Sequence, residues 1–454
     1  MGMRTILTPI PGYLTGLVEK LRARLLAPDF IAQHRVRSKD FTRHRQLTFP
    51  VVMLFVLQKT VKSIQNHLYA FLKELAGEEI FEPVTPGAWT HARAKLKHTA
   101  FLELNEQIVL PVLYSPEREP QLRRWHGHRL LGIDSSILRL PNSQELLDQF
   151  TVVETSNARG QSGIRYAEAR MSVMYDLLNQ VGLEARLEPS SLGEIDLAIQ
   201  QLEQARPGDV LINDRGFTSY KYLAWHHRLG LDYIARCSTA SFAAAQELFR
   251  MNRAGRSRVV KLVPPSNQRA HIRRLGLPLE LVVRFVSVRL PTGELEVLAT
   301  SLLDEQQYPT QEFLAVYHHR WNHETFYGTM KGRLDLENFS GQSVEAVRQD
   351  FFASLLLCNL QTALSEPTAQ ALNEKSAEHK HSKQVNRAVA YHALKGRLLD
   401  LLCSDRPVEQ VVQELQQLFL GTPVSVRPKR KPPRRKPSLN RSYHFQRRVR
   451  KIVF

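Results

Sequence analysis

At residue 125 the hydrophobic pattern of the chain changes period, and that change fixes the class of fold open to it. Before it, apolar residues recur at helical spacing. Ile64, Leu68, Phe71, Leu72 and Leu75 line one face, and Gly77 follows as a stop. Thr85-Pro86 then reads as an N-cap with proline in the first turn of a helix that turns Trp89, Ala92 and Leu96 to one side. Its Arg93, Lys95 and Lys97 suit either a solvated face or DNA phosphates. Ser115–Arg124, with two prolines and five charges, is a linker. Beyond it, strand and helix alternate. Leu130–Leu140, Met171–Leu178 and Gly182–Leu187 are strands, with a turn at Asn179–Val181. Ile195–Gln204 is helical, Asp209–Asn213 is a short strand broken by Asp214-Arg215-Gly216, Tyr220–Arg228 is helical and Tyr233–Cys237 is a strand. This order predicts an α/β sheet that opens with an antiparallel meander.

The pattern divides the chain into an α-helical N-terminal domain (1–113), a linker (114–124), a first core segment (125–237), a β-rich insertion (238–303), a second core segment (304–375), a helical region (376–426) and a basic tail (427–454). Val259–Val263, Glu280–Leu290 and Leu295–Leu302 supply the strands of the insertion, and the last of them can return to the core sheet. Thr310–Leu334 and Val344–Leu364 are helices.

Three distant cysteines exclude a zinc ribbon or a thioredoxin-like motif, and no apolar run near the N-terminus approaches the ~20 residues that span a bilayer. No signal peptide and no membrane association are expected. The formal net charge is +18, and the tail holds twelve Lys/Arg and no acid, which points to a polyanionic partner.

The densest chemical signal is Tyr317–Lys331 (YHHRWNHETFYGTMK). On a continuous helix, Tyr317, Arg320, Glu324 and Lys331 fall within about 60° of one another. A carboxylate among basic and phenolic groups suits holding a metal ion while its neighbours hold phosphates. Asp134 lies inside an otherwise apolar strand, where an unpaired acid is costly. Asp214 ends another strand, where α/β sheets place ligands. Three carboxylates from separate elements form a usual oxygen cage for Mg²⁺ or Mn²⁺, and two such ions about 3.5–4 Å apart serve phosphodiester chemistry. A rival zinc reading rests on His319 and His323 beside Glu324, but has no third ligand.

Asp134, Asp214 and Glu324, together with Tyr317, Arg320, Glu324 and Lys331 at Y-x2-R-x3-E-x6-K spacing, resemble the DDE transposases of the insertion-sequence-four family. Trp321, Phe326-Tyr327 and the run Asp214–Phe217 also fit. The resemblance implies a ribonuclease-H-like mixed-sheet core interrupted by a β insertion. It implies an enzyme that binds terminal inverted repeats as a homodimer in a synaptic complex, cleaves double-stranded DNA with two Mg²⁺ or Mn²⁺ ions, and joins the freed 3′-hydroxyl to target DNA. Tyr317, Arg320, Lys331 and Arg215 would contact phosphates near the cleaved end, and Lys429, Arg430, Lys431, Arg434, Arg435 and Lys436 in the tail would add non-specific attraction. The setting would be the nucleoid of a bacterial or archaeal cytoplasm. Hairpin-forming relatives stack a flipped base on a tryptophan of the insertion. Residues 238–303 contain none, which leaves Phe242, Phe249 or Phe285 for that place and the hairpin step open. Beside an active transposase stand two alternatives: a domesticated nuclease, and a DNA-binding regulator whose acids are only structural.

Overall fold

The computed structural model describes residues 11–43, 45–59, 63–77, 82–156, 162–375 and 381–426. The basic tail, with Lys429, Arg430, Lys431, Arg434, Arg435 and Lys436, lies outside the described residues. The chain forms two compact units. One comprises residues 120–138 and 169–328; the other comprises the described residues within 11–119, 139–168 and 329–426.

In chain order the strands are β1 (Leu130–Arg139), β2 (Thr151–Ser156), β3 (Ser162–Asp176), β4 (Val181–Pro189), β5 (Val210–Asn213), β6 (Asp232–Arg236), β7 (Ser257–Leu262), β8 (Leu281–Arg289) and β9 (Leu295–Thr300). The unit around residues 169–328 is a mixed sheet with helices. From β1 the sheet runs one way to β3, which pairs with β4, and the other way through β5, β6, β9, β8 and β7. β3 and β4 are the expected antiparallel meander, closed by a turn in which Asp176 Oδ1 accepts the N–H groups of Leu178 and Asn179. β1, β5 and β6 are parallel. β5 is buried throughout its four residues, as a parallel strand covered on both faces must be. This is the mixed α/β sheet with an antiparallel meander that the alternation of strand and helix predicts.

The insertion does not form a sheet of its own. β9 pairs antiparallel with β6, and β8 and β7 add on outward, so the insertion lengthens the core sheet. Phe285 is fully buried on β8 and Phe242 packs edge-on against it, 5.8 Å between ring centres. Phe285 therefore serves the core and is withdrawn from any base-stacking role.

The other unit is mostly helical. Phe49–Gln58 is buried nearly all round, and Ile64–Ala76 turns Leu68, Phe71 and Leu72 inward before Gly77 stops it at φ +61°. Thr85 caps its helix by accepting the Ala88 N–H, as its position predicts. Arg93 departs from both sequence readings. It is buried, with Nη2 donating to Asp350 Oδ1 at 2.8 Å and Nε to Gln349 at 2.7 Å, so it ties helices together and meets neither solvent nor DNA. A 31-residue helix, Val344–Glu374, carries Asp350 and Gln349 and continues ten residues past the expected end, through Pro367. Among the described residues no helix is long and apolar enough to cross a membrane.

Candidate active site

Pairing register brings the two aspartates level. Leu130 pairs with Val210 and Leu131 with Leu211, an offset of 80 residues. Carried three residues further, past the end of β5, that offset would bring Asp134 level with Asp214, and the Asp214 charge is indeed felt at Asp134. The same logic links β5 to β6, where Asn213 pairs with Ala235, so Asp214 stands beside Arg236. The Arg236 Nη1 lies 3.9 Å from Asp214 Oδ1, and its Nη2 lies 2.5 Å from Glu296 Oε1 on β9.

Asp134 is half-buried in β1. Burial first, and then the negative charges of Glu194 and Asp214, raise its pKa to about 6; the Ser135 N–H, donating to Oδ1 at 2.8 Å, and the Arg320 charge pull the other way. Glu194, from the first turn of the helix Glu194–Leu202, accepts the Ser135 hydroxyl at 2.5 Å, and Arg170 donates to that hydroxyl at 2.8 Å. Glu194, Arg236 and Glu296 were not singled out by sequence. Each is an ordinary charged residue on a helix or strand, and only sheet pairing brings it here.

Glu324 comes from the helix Trp321–Gly328. Asp214 and Glu324 each leave 42% of the side chain exposed, open to a ligand. Arg320, immediately before that helix, links the acids. Its Nη2 donates to Glu324 Oε1 at 2.9 Å, while Tyr317, Asp214 and Glu324 outweigh its burial and raise its pKa. Its Nε is buried with no hydrogen-bond partner among the described residues. Tyr317 donates to Asp214 Oδ1 at 3.4 Å, and burial raises its pKa, so it remains a phenol. Arg215 is exposed in the short turn after Asp214.

The Tyr317–Lys331 stretch is not one continuous α-helix. Phe313–His318 and Trp321–Gly328 are joined by a tighter turn, and Thr329–Arg333 forms a π turn. The π turn inserts an extra residue, so rotation at 100° per residue no longer locates Lys331. Lys331 belongs to the other unit, where it pairs with Glu337 at 3.5 Å.

Two residues seat the helix on β1. Tyr327 donates to the Asp134 carbonyl at 2.5 Å and accepts the Val173 N–H at 3.1 Å. Gly132 lets His323 approach: a Cβ there would stand 3.1 Å from His323 Nδ1 and 3.1 Å from Leu177. His323 is buried, stacked on Tyr175 at 5.5 Å, and burial lowers its pKa to about 3. It is a packing residue, which removes the zinc pair with His319.

Asp134, Asp214 and Glu324 offer oxygen donors only, as hard divalent ions prefer, and burial together with the Glu194 and Asp214 charges keeps the Asp134 pKa raised. Among the described residues no three His, Cys, Asp or Glu side chains are gathered closely enough to form a ready-made metal site. Mg²⁺ does not need one, since it keeps waters and takes further oxygens from substrate phosphates.

Residues 125–360 match the family described as the transposase DDE domain. The chain belongs to that family. It is 25% identical over 243 residues to the transposase InsG for insertion sequence element IS4 of Escherichia coli (strain K12), a match covering 52% of each protein. It thus spans about half the length of that relative. Among solved structures it is similar to a piggyBac transposase synaptic complex with hairpin DNA, at 9% identity and a TM-score of 0.43, over 88% of this chain and 85% of that one.

Proposed function

We propose that this chain is the transposase of an insertion sequence, which binds terminal inverted repeats as a homodimer, cuts one strand at each element end and transfers the freed 3′-hydroxyl to target DNA. Family membership supports the reaction class, since DDE transposase domains generally use divalent metal ions. The observation that carries the reading is the β1–β5 register that sets Asp134 beside Asp214, with Arg320 joining Asp214 electrostatically to Glu324. Asp134, Asp214 and Glu324 would hold Mg²⁺ or Mn²⁺, which when bound supplies Lewis-acid polarisation of a phosphoryl oxygen and lowers the pKa of water. Around them the chain's own residues do the positioning. Arg320, held by Glu324 through Nη2, keeps its positive charge beside Asp214 and suits a nearby phosphate. Tyr317 keeps its proton and can donate it in a hydrogen bond. Arg215 and Lys331 are further phosphate contacts, while the N-terminal helices and the tail supply end binding and non-specific attraction.

The test is nicking of a plasmid carrying the element ends. Wild type should nick with Mg²⁺, and Asp134→Ala, Asp214→Ala and Glu324→Ala should each lose at least about 10³-fold in rate while end binding persists. Variants that cut as well as wild type would refute the site, and wild type that binds ends but never cuts with Mg²⁺ or Mn²⁺ would favour the regulator.

A further inference from the structure

We infer that exposed arginines before and after β7 form a second phosphate-binding surface, one that takes the backbone of double-stranded DNA. The inference rests on the proposed function and adds a surface to it. Residues 238–303 contain nine arginines and one lysine against four glutamates. The structure divides these cations sharply. On β7 itself, Arg258 pairs with Glu247, and Lys261 pairs with Glu280 at 2.9 Å. Glu296 is taken by Arg236 at 2.5 Å. Arg284 is buried and donates to the Tyr308 carbonyl at 2.8 Å, and Arg289 donates to the carbonyls of Gly293 and Asn252. That leaves Arg250, Arg253 and Arg256 ahead of the strand and Arg269, Arg273 and Arg274 beyond it. All six are exposed, and none forms an ion pair with a carboxylate among the described residues; Arg274 Nη2 lies 3.0 Å from His271 Nδ1, an exposed neighbour on the same helix.

Both groups are mounted on fixed backbone. Ahead of β7, the Gly255 N–H donates to the Ser287 carbonyl at 2.8 Å, the Ser287 hydroxyl donates to the Arg253 carbonyl at 2.7 Å, and the Arg256 N–H donates to that hydroxyl at 3.1 Å. Beyond it, the short helix Arg269–Arg274 is pinned by fully buried Ile272, which packs in one cluster with Leu281, Val283 and Phe285. A six-residue strand between the groups spans about 20 Å, enough to reach across a groove.

Simpler uses of charge do not account for the six. Edge strands carry cations to deter pairing with other chains, and Arg258 and Lys261 already provide them on β7. Helix dipoles explain Arg250, Arg273 and Arg274 in last turns, but not Arg253, Arg256 or Arg269. Guanidinium groups match phosphate oxygens with a planar fork, and arginine is what this surface presents.

The experiment uses the full chain in EDTA and a short fluorescent duplex of random sequence, titrated between about 50 and about 200 mM salt. Arg269→Gln/Arg273→Gln/Arg274→Gln should weaken binding at least tenfold at the lowest salt and flatten the log–log salt slope by about 2–3, since each phosphate no longer neutralised removes about 0.9. Arg253→Gln/Arg256→Gln should flatten it by about 1–2. Arg258→Gln/Lys261→Gln, which removes two cations that already have carboxylate partners, should stay within twofold of wild type. Unchanged affinity and slope in the first two variants, in protein with an unaltered urea midpoint, would overturn the inference. So would an equal loss in the third, which would show a response to net charge alone. Wild type that fails to bind duplex DNA at all would instead sink the proposed function.

Discussion

Asp134 is an acid that its own strand penalises. Burial and the charges of Glu194 and Asp214 push its pKa to about 6 in the folded protein, against about 4 in an unfolded chain. Between those values the folded state holds a proton that the unfolded state has released, so stability falls as pH rises through the window and stays lower above it. In metal-free protein, Asp134→Asn should therefore be more stable than wild type at pH 7.5 by about 1–3 kcal/mol, with little gain near pH 4, and urea unfolding in EDTA at the two pH values reads this directly. Equal or lower stability of the variant at pH 7.5 would contradict the electrostatic account. Part of this was legible in the sequence: an acid inside an apolar strand is costly wherever it lies, so Asp134 stood out without any structure. Glu194 did not, because an acid in the first turn of a helix is ordinary, and only the Ser135 hydroxyl bond reveals its place. Arg93 was misread for a related reason. A helical pattern locates a cation away from Trp89 and Ala92, but it cannot show that Asp350, 257 residues later, will be buried against it.

At the scale of elements, the segment bearing Glu324 works through its seat on β1. The Tyr327 hydroxyl joins the Asp134 carbonyl to the Val173 N–H, so one side chain fixes the helix against the strands that carry the first aspartate. Tyr327→Phe should strand the buried Val173 N–H, cost about 1–2 kcal/mol of stability and lower the nicking rate at saturating DNA about tenfold, with end binding unchanged. Plasmid nicking and an anisotropy titration separate these effects; an unaltered rate would show that the hydroxyl does not position the helix. The spacing of Tyr317, Arg320 and Glu324 was readable as a local cluster, because over two turns small departures from 3.6 residues matter little. Over four turns they accumulate, and across the π turn Thr329–Arg333, which holds Gly332, a rotation of 100° per residue no longer locates Lys331. The insertion shows the same limit. Its alternating residues marked β7, β8 and β9 and allowed the last to return to the core sheet, as it does, but no local pattern names β6 as the partner.

Across the whole molecule, the spacing of 80 residues between Asp134 and Asp214 equals the offset of the β1–β5 register, and that equality is what turns two scattered acids into neighbours. Everything inserted between those strands, including the β3–β4 meander and the helix Glu194–Leu202, leaves that register intact. Glu324 comes from a third element, reached after the sheet has been lengthened by β7, β8 and β9, and Arg320 joins it electrostatically to Asp214. The account thus stands on whether these three carboxylates act as one ion-binding unit. Mn²⁺ titration followed by electron paramagnetic resonance, on the full chain without DNA, measures it without relying on turnover. Wild type should bind Mn²⁺, and Asp134→Asn, Asp214→Asn and Glu324→Gln should each weaken it at least tenfold. Mn²⁺ bound equally well by wild type and all three variants would contradict the account.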